Sequence, residues 1–67
     1  MKFKPGDLVK VSNRGSESYA GIVISGRKTH VYVEARPIKI IDEVVYTIVS
    51  SGNDTFAYER DIRKLND

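Results

Sequence analysis

The sequence predicts an all-β domain, one small antiparallel barrel of five short strands with a short 3₁₀ or helical turn near its C-terminus. Three observations predict it. Valine, isoleucine, threonine and tyrosine recur with a period of two in short runs. Clusters of glycine, serine, asparagine and aspartate separate those runs. The chain has 67 residues, enough for one buried core and too few for two, so residues 1–67 are read as a single domain. A domain of this size buries only about 60% of the surface its unfolded chain exposes. Closing the sheet would remove the two edges that an open sheet leaves unpaired.

The elements follow in order. Pro5-Gly6-Asp7 reads as a turn into the first strand, residues 8–12, with Val9 and Val11 sharing the inward face. Residues 13–18 are polar and contain Gly15, a loop. The second strand is expected over residues 19–25, where Gly21 marks a bulge or a close backbone approach. Gly26-Arg27-Lys28-Thr29 reads as a turn into a third strand over residues 30–36, with Val31, Val33 and Ala35 inward and His30, Tyr32, Glu34 and Arg36 outward. Pro37 bars a central strand from continuing, so residues 38–43 read as an irregular connection or a short edge strand. The fourth strand, residues 44–50, carries the strongest β signal. Ser51-Gly52-Asn53-Asp54 turns it into an antiparallel fifth strand over residues 55–59. In the tail, Ile62 and Leu65 stand three residues apart, the spacing of a single 3₁₀ or α turn that plugs one end of the barrel. The expected core is Val9, Val11, Val23, Val31, Val33, Tyr46, Ile48 and Tyr58, closed by Ile62 and Leu65.

Composition narrows the chemistry. With no cysteine and one histidine, neither disulfides nor the ligand spacings of zinc sites are available, and no calcium-loop pattern occurs; no metal and no cofactor is expected. No apolar run has the length of a signal peptide or of a membrane span, so a cytoplasmic protein with no membrane partner is expected. Eight bases face three acids over residues 1–41, and three bases face six acids over residues 42–67. That asymmetry is the raw material of a basic face.

The phrase Lys4-Pro5-Gly6-Asp7-Leu8-Val9-Lys10-Val11, followed by Gly21-Ile22-Val23, resembles the opening of Src-homology-3-like (SH3-like) barrels of the KOW, Tudor and retroviral-integrase C-terminal kinds. The ending is similar too: Val45-Tyr46-Thr47-Ile48, then Phe56-Ala57-Tyr58-Glu59-Arg60-Asp61-Ile62, resembles their last hairpin with a Glu-x-Asp-aliphatic step into the closing turn. Small proteins of bacteriophage genomes consisting of this barrel alone are also similar. The resemblance implies an SH3-like fold and a binding role, with a host cytoplasm or a virion as the location if the chain is phage-encoded. The stretch from Gly26 to Glu43 is longer than the compact centre of a KOW motif.

Catalysis finds little to work with. The one imidazole, His30, is expected on the exposed face of a strand, and the carboxylates Asp42, Glu43, Asp54, Glu59 and Asp61 have no substrate cleft around them. No enzyme and no small-molecule substrate are therefore expected. Two binding surfaces remain. Ile38, Ile40 and Ile41 form an apolar patch suited to a protein partner or an assembly. Lys10, Arg14, Arg27, Lys28, Tyr32, Arg36 and Lys39 combine cations with an aromatic ring, as DNA- or RNA-tracking sites do. Protein contact is the first expectation and nucleic-acid binding the alternative.

Overall fold

The computed structural model describes residues 1–13, 15 and 17–65. Its strands are β1 (Leu8–Val11), β2 (Tyr19–Val33), β3 (Lys39–Ser50), β4 (Asn53–Tyr58) and β5 (Ile62–Lys64), with one 3₁₀ turn at Glu59–Asp61. All five lie in a single antiparallel sheet in the order β4-β3-β2-β1-β5. The all-β expectation holds; the 3₁₀ turn is present but falls at Glu59–Asp61, ahead of the Ile62–Leu65 spacing that predicts it, and Ile62–Lys64 is strand. The expected closure is not seen as a ladder, because β4 and β5 remain the two edges of the sheet.

One face of the sheet carries the core, by alternation along each strand. Val9 and Val11 of β1, Val23 of β2, Tyr46 and Ile48 of β3, Ala57 of β4 and Ile62 of β5 form one buried cluster with Phe3. In a flat sheet β4 and β5 would stand about 19 Å apart, four strand spacings of roughly 4.8 Å. Contributing to one core, they require the sheet to curl strongly. Tyr19 shows the same curl, since its hydroxyl donates to Thr55 Oγ1 of β4 at 3.1 Å, past the intervening β3. Each fully buried Val or Ile contributes roughly 1.5–3 kcal/mol.

Two glycines of β2 make room for close contacts with β3. A Cβ on Gly21 would lie 2.5 Å from Ile48 Cγ2 and 2.6 Å from the Val49 carbonyl oxygen, which is the close approach expected there. The bulge lies elsewhere in β2: Val23 pairs with Ile48 and Ser25 with Thr47, leaving Ile24 as the extra residue. Gly26 is not in a turn. It pairs with Tyr46 inside the ladder, and a Cβ there would lie 2.8 Å from Tyr46 Cδ1 and Cε1. The glycine is required by the tyrosine ring, so β2 runs on unbroken.

That continuity changes the assignment of the middle of the chain. The second and third expected strands are one strand of 15 residues, and the reversal falls at residues 34–38, around Pro37, rather than at 26–29. Residues 39–43 belong to β3 rather than to an irregular connection. The tail supplies the fifth strand: Ile62 pairs with Val11, Arg63 with Lys10 and Lys64 with Val9.

Four expected core residues lie elsewhere. Val31 is half-buried and Val33 is exposed, because they lie on the side of the sheet opposite the core, where the expectation has His30 and Tyr32, and on a part of β2 that has left the body. Tyr58 is half-buried while its neighbour Ala57 is buried, and Leu65 is exposed beyond β5. The β3–β4 turn explains the shift in β4. Only Ser51 and Gly52 form the loop, both with positive φ, as two-residue hairpins favour, and this register sets Ala57 opposite Tyr46. A one-residue slip reverses every side chain.

Beyond the body, β2 and β3 continue alone as a two-stranded arm. Six cross-strand pairs, Lys28 with Val44 through Val33 with Lys39, make it roughly 17 Å long at about 3.4 Å per residue. The radius of gyration is 13.0 Å. A compact chain of this length would have about 11 Å.

Candidate binding surface: the arm and its root

Period-two alternation gives the arm two unlike faces. One continues the core side of the sheet: Lys28 stands opposite Val44, His30 opposite Asp42 and Tyr32 opposite Ile40. The other continues the outer side: Arg27 opposite Val45, Thr29 opposite Glu43, Val31 opposite Ile41 and Val33 opposite Lys39. Nothing in the body covers the distal half. Tyr32 is 74% exposed, Ile38 69% and Ile40 60%. Such exposure of β-branched and aromatic side chains is unusual for Tyr32 and Ile40, which lie in strands of high β propensity.

The structure therefore divides the isoleucine group. Ile38 sits at the tip, Ile40 joins Tyr32 on one face, and Ile41 joins Val31 on the other. The basic group is divided as well. Arg27 and Lys39 share the outer face, Lys28 and Tyr32 the opposite one, and Arg36 lies in the reversal. Lys10 is remote, on β1 opposite Ala20, about 23 Å along β2 from Arg27. Arg14 lies outside the described residues.

His30 has a partner. Its Nδ1 lies 2.7 Å from Asp42 Oδ1, both side chains being about three-quarters exposed. An exposed pair of this kind adds little stability, in the range of roughly 0–1 kcal/mol, but it occupies the carboxylate beside the tyrosine. Among the described residues no group of three His, Cys, Asp or Glu side chains is placed to hold a metal ion.

At the root of the arm a second feature forms that the sequence reading missed. Phe56 and Tyr58 alternate outward on β4, and Tyr58 pairs with Val45, which pairs with Arg27. These side chains, with Thr29, line a shallow hollow of about 350 Å³. Phe56 is 66% exposed at its rim. The Arg60 guanidinium lies 4.6 Å from the centre of the Tyr58 ring and pairs with Glu43 of β3. Stacking and ion pair together tie the 3₁₀ turn to the base of the arm. The signal for this group was present: a two-residue turn at Ser51-Gly52 with Tyr46 inward places Ala57 inward, and hence Phe56 and Tyr58 outward.

The chain matches no family model, no curated protein and no solved structure. What the surface can do is therefore read from its geometry. The body, a projecting arm with apolar side chains on both faces and an aromatic hollow at its root together form an open surface rather than an enclosed cavity. No helix among the described residues is long and apolar enough to cross a membrane.

Proposed function

We propose that the protein is a non-catalytic binding module of the SH3-like kind that makes protein–protein contacts through the β2–β3 arm, as a component of an assembly or a host-interacting protein of a phage. The observation that carries this reading is the uncovered apolar surface of the arm, formed by Tyr32, Ile38 and Ile40 together with Val33 and Ile41. An isolated two-stranded hairpin is marginal in water, and exposing these side chains on one is costly unless a partner covers them. The SH3-like reading is supported by the 3₁₀ turn falling at the Glu59-Arg60-Asp61-Ile62 step and by the curl of the sheet around one core.

The test is affinity capture with the wild-type chain and the Ile40→Asp variant at two salt concentrations, scoring both protein and nucleic acid. Ile40 lies far from the core, so the variant should fold as the wild type does and lose the captured protein. Retention of the same protein by folded Ile40→Asp would remove the arm from the contact. The nucleic-acid alternative rests on Arg27, Lys39 and Arg36, which lie along the outer face and tip. Three phosphate contacts would give a log–log salt slope near −2.7, about −0.9 for each.

A further inference from the structure

The longest unpaired strand edge in the described molecule belongs to β2. β1 covers it only over Tyr19–Ile22, and the Gly6-Asp7 backbone closes on Val23 through hydrogen bonds of 2.9 and 3.0 Å. From Ser25 to Val33 β2 pairs with β3 on one side and with no other described strand. Such an edge presents a row of backbone donors and acceptors to any strand that matches it.

Its sequence matches itself. Read antiparallel about Val31, the segment Lys28-Thr29-His30-Val31-Tyr32-Val33-Glu34 sets Lys28 opposite Glu34, Thr29 opposite Val33 and His30 opposite Tyr32. Val31 meets its own copy. We propose that a second copy of this chain pairs with the arm along the free edge of β2, antiparallel, with the two-fold axis at Val31. This rests on the reading of the arm as a protein contact, and it names the partner.

Charge selects the register. An axis at Lys28 would set that lysine against its copy, and an axis at Tyr32 would set it against Arg36, both like-charge pairs. An axis at His30 or Thr29 loses the Lys28–Glu34 pair. Only the Val31 axis places that attraction on both sides at once, as a two-fold interface requires. Neither Lys28 nor Glu34 has an ion-pair partner among the described residues, whereas Asp42 and Glu43 of the β3 edge are engaged by His30 and Arg60.

Packing supports the same register. Val31 already stands opposite Ile41, so pairing creates a row of four β-branched residues, Ile41-Val31 and their copies, across a four-stranded sheet. On the other face Tyr32 comes to lie between its own Ile40 and the second copy's His30. Pairing also turns two marginal ribbons into a sheet of four strands, the size at which a sheet with an apolar face becomes stable.

The test uses charge reversal and sedimentation equilibrium of the purified full chain. Lys28→Glu and Glu34→Lys should each weaken self-association by roughly tenfold or more. An equimolar mixture of the two variants should associate, because opposite charges then face each other across the interface. The double variant K28E/E34K should restore the wild-type dimer. Both positions are exposed, and circular dichroism checks that the fold is kept. As a measurement needing no variant, amide protection of residues 25–34 in the wild type should rise with protein concentration. A wild-type chain that stays monomeric at every concentration, bound to nucleic acid or free of it, overturns the proposal, as does a mixture no tighter than either variant alone. If that monomer still loses its captured protein on Ile40→Asp, self-pairing fails while the reading of the arm stands. If it does not, both fail.

Discussion

Tyr46 organises the most connected polar group in the core. Its side chain is fully buried, its ring meets Phe3 edge-on at 5.3 Å, and its hydroxyl donates to Glu59 Oε2 at 2.5 Å while accepting from the Phe3 N–H at 3.1 Å. The Lys2 N–H also donates to Glu59 Oε2, at 3.3 Å. One hydroxyl thereby ties the N-terminal segment to the 3₁₀ turn. Burial, and then the bond to Glu59, push the Tyr46 hydroxyl above the usual tyrosine range; the same bond holds the Glu59 carboxyl below the usual carboxylate range. The signs follow. Stabilisation through Glu59 is present above its unfolded value, near 4.3, and is lost as pH falls through the lower folded value. Stabilisation through Tyr46 is present below its unfolded value, near 10, and is lost as pH rises through the higher folded one. Tyr46→Phe should destabilise the chain by about 1–2 kcal/mol at neutral pH. Urea titrations across pH should show the gap from wild type narrowing toward acid and toward alkali. Gly26→Ala is the steric counterpart: its methyl meets the Tyr46 ring and should cost about 1–3 kcal/mol in the same titrations.

Among elements, β3 is two things in one strand. Its C-terminal half is core and its N-terminal half is arm, and two isoleucines eight residues apart show the difference. Ile48, fully buried, should cost about 2–5 kcal/mol when replaced by alanine; Ile40, mostly exposed, should fall within about 0.5 kcal/mol of wild type. Thermal or urea unfolding of both variants checks the contrast. Hydrogen exchange of the isolated chain at low concentration should be fast over residues 28–33 and 39–44 and slow at Val23 and Ile48, since local opening of the arm uncovers little core. This is also where legibility was uneven. β1, the start of β2 and the end of β3 were readable from alternation against a buried face. The arm was not, because with both faces apolar and no body behind it, alternation no longer reports which side is inside. Pro37 and Gly26 both look like punctuation in the sequence, and only Pro37 lies in a reversal.

For the whole molecule, the single core and the elongated outline have one cause. A 67-residue chain that commits six strand pairs to an arm leaves a body whose core must be shared by every strand and by Phe3 from the N-terminal segment. The candidate surfaces were legible as residue types: the isoleucines and the cations named from the sequence are mostly on the arm. Their grouping was not, because faces depend on register, and register depends on which glycine turns and which one packs.

The sequence by itself determined the all-β class, the antiparallel last hairpin, the presence of a 3₁₀ turn near the C-terminus and the inward residues Val9, Val11, Val23, Tyr46, Ile48 and Ile62. Those properties follow from local periodicity and turn chemistry, which a chain carries wherever it goes. The tertiary structure alone decided that Gly26 lies under a tyrosine ring and that β2 and β3 run past the body as an arm. Each of these depends on a contact between residues distant in the chain, whose steric demand no local pattern records.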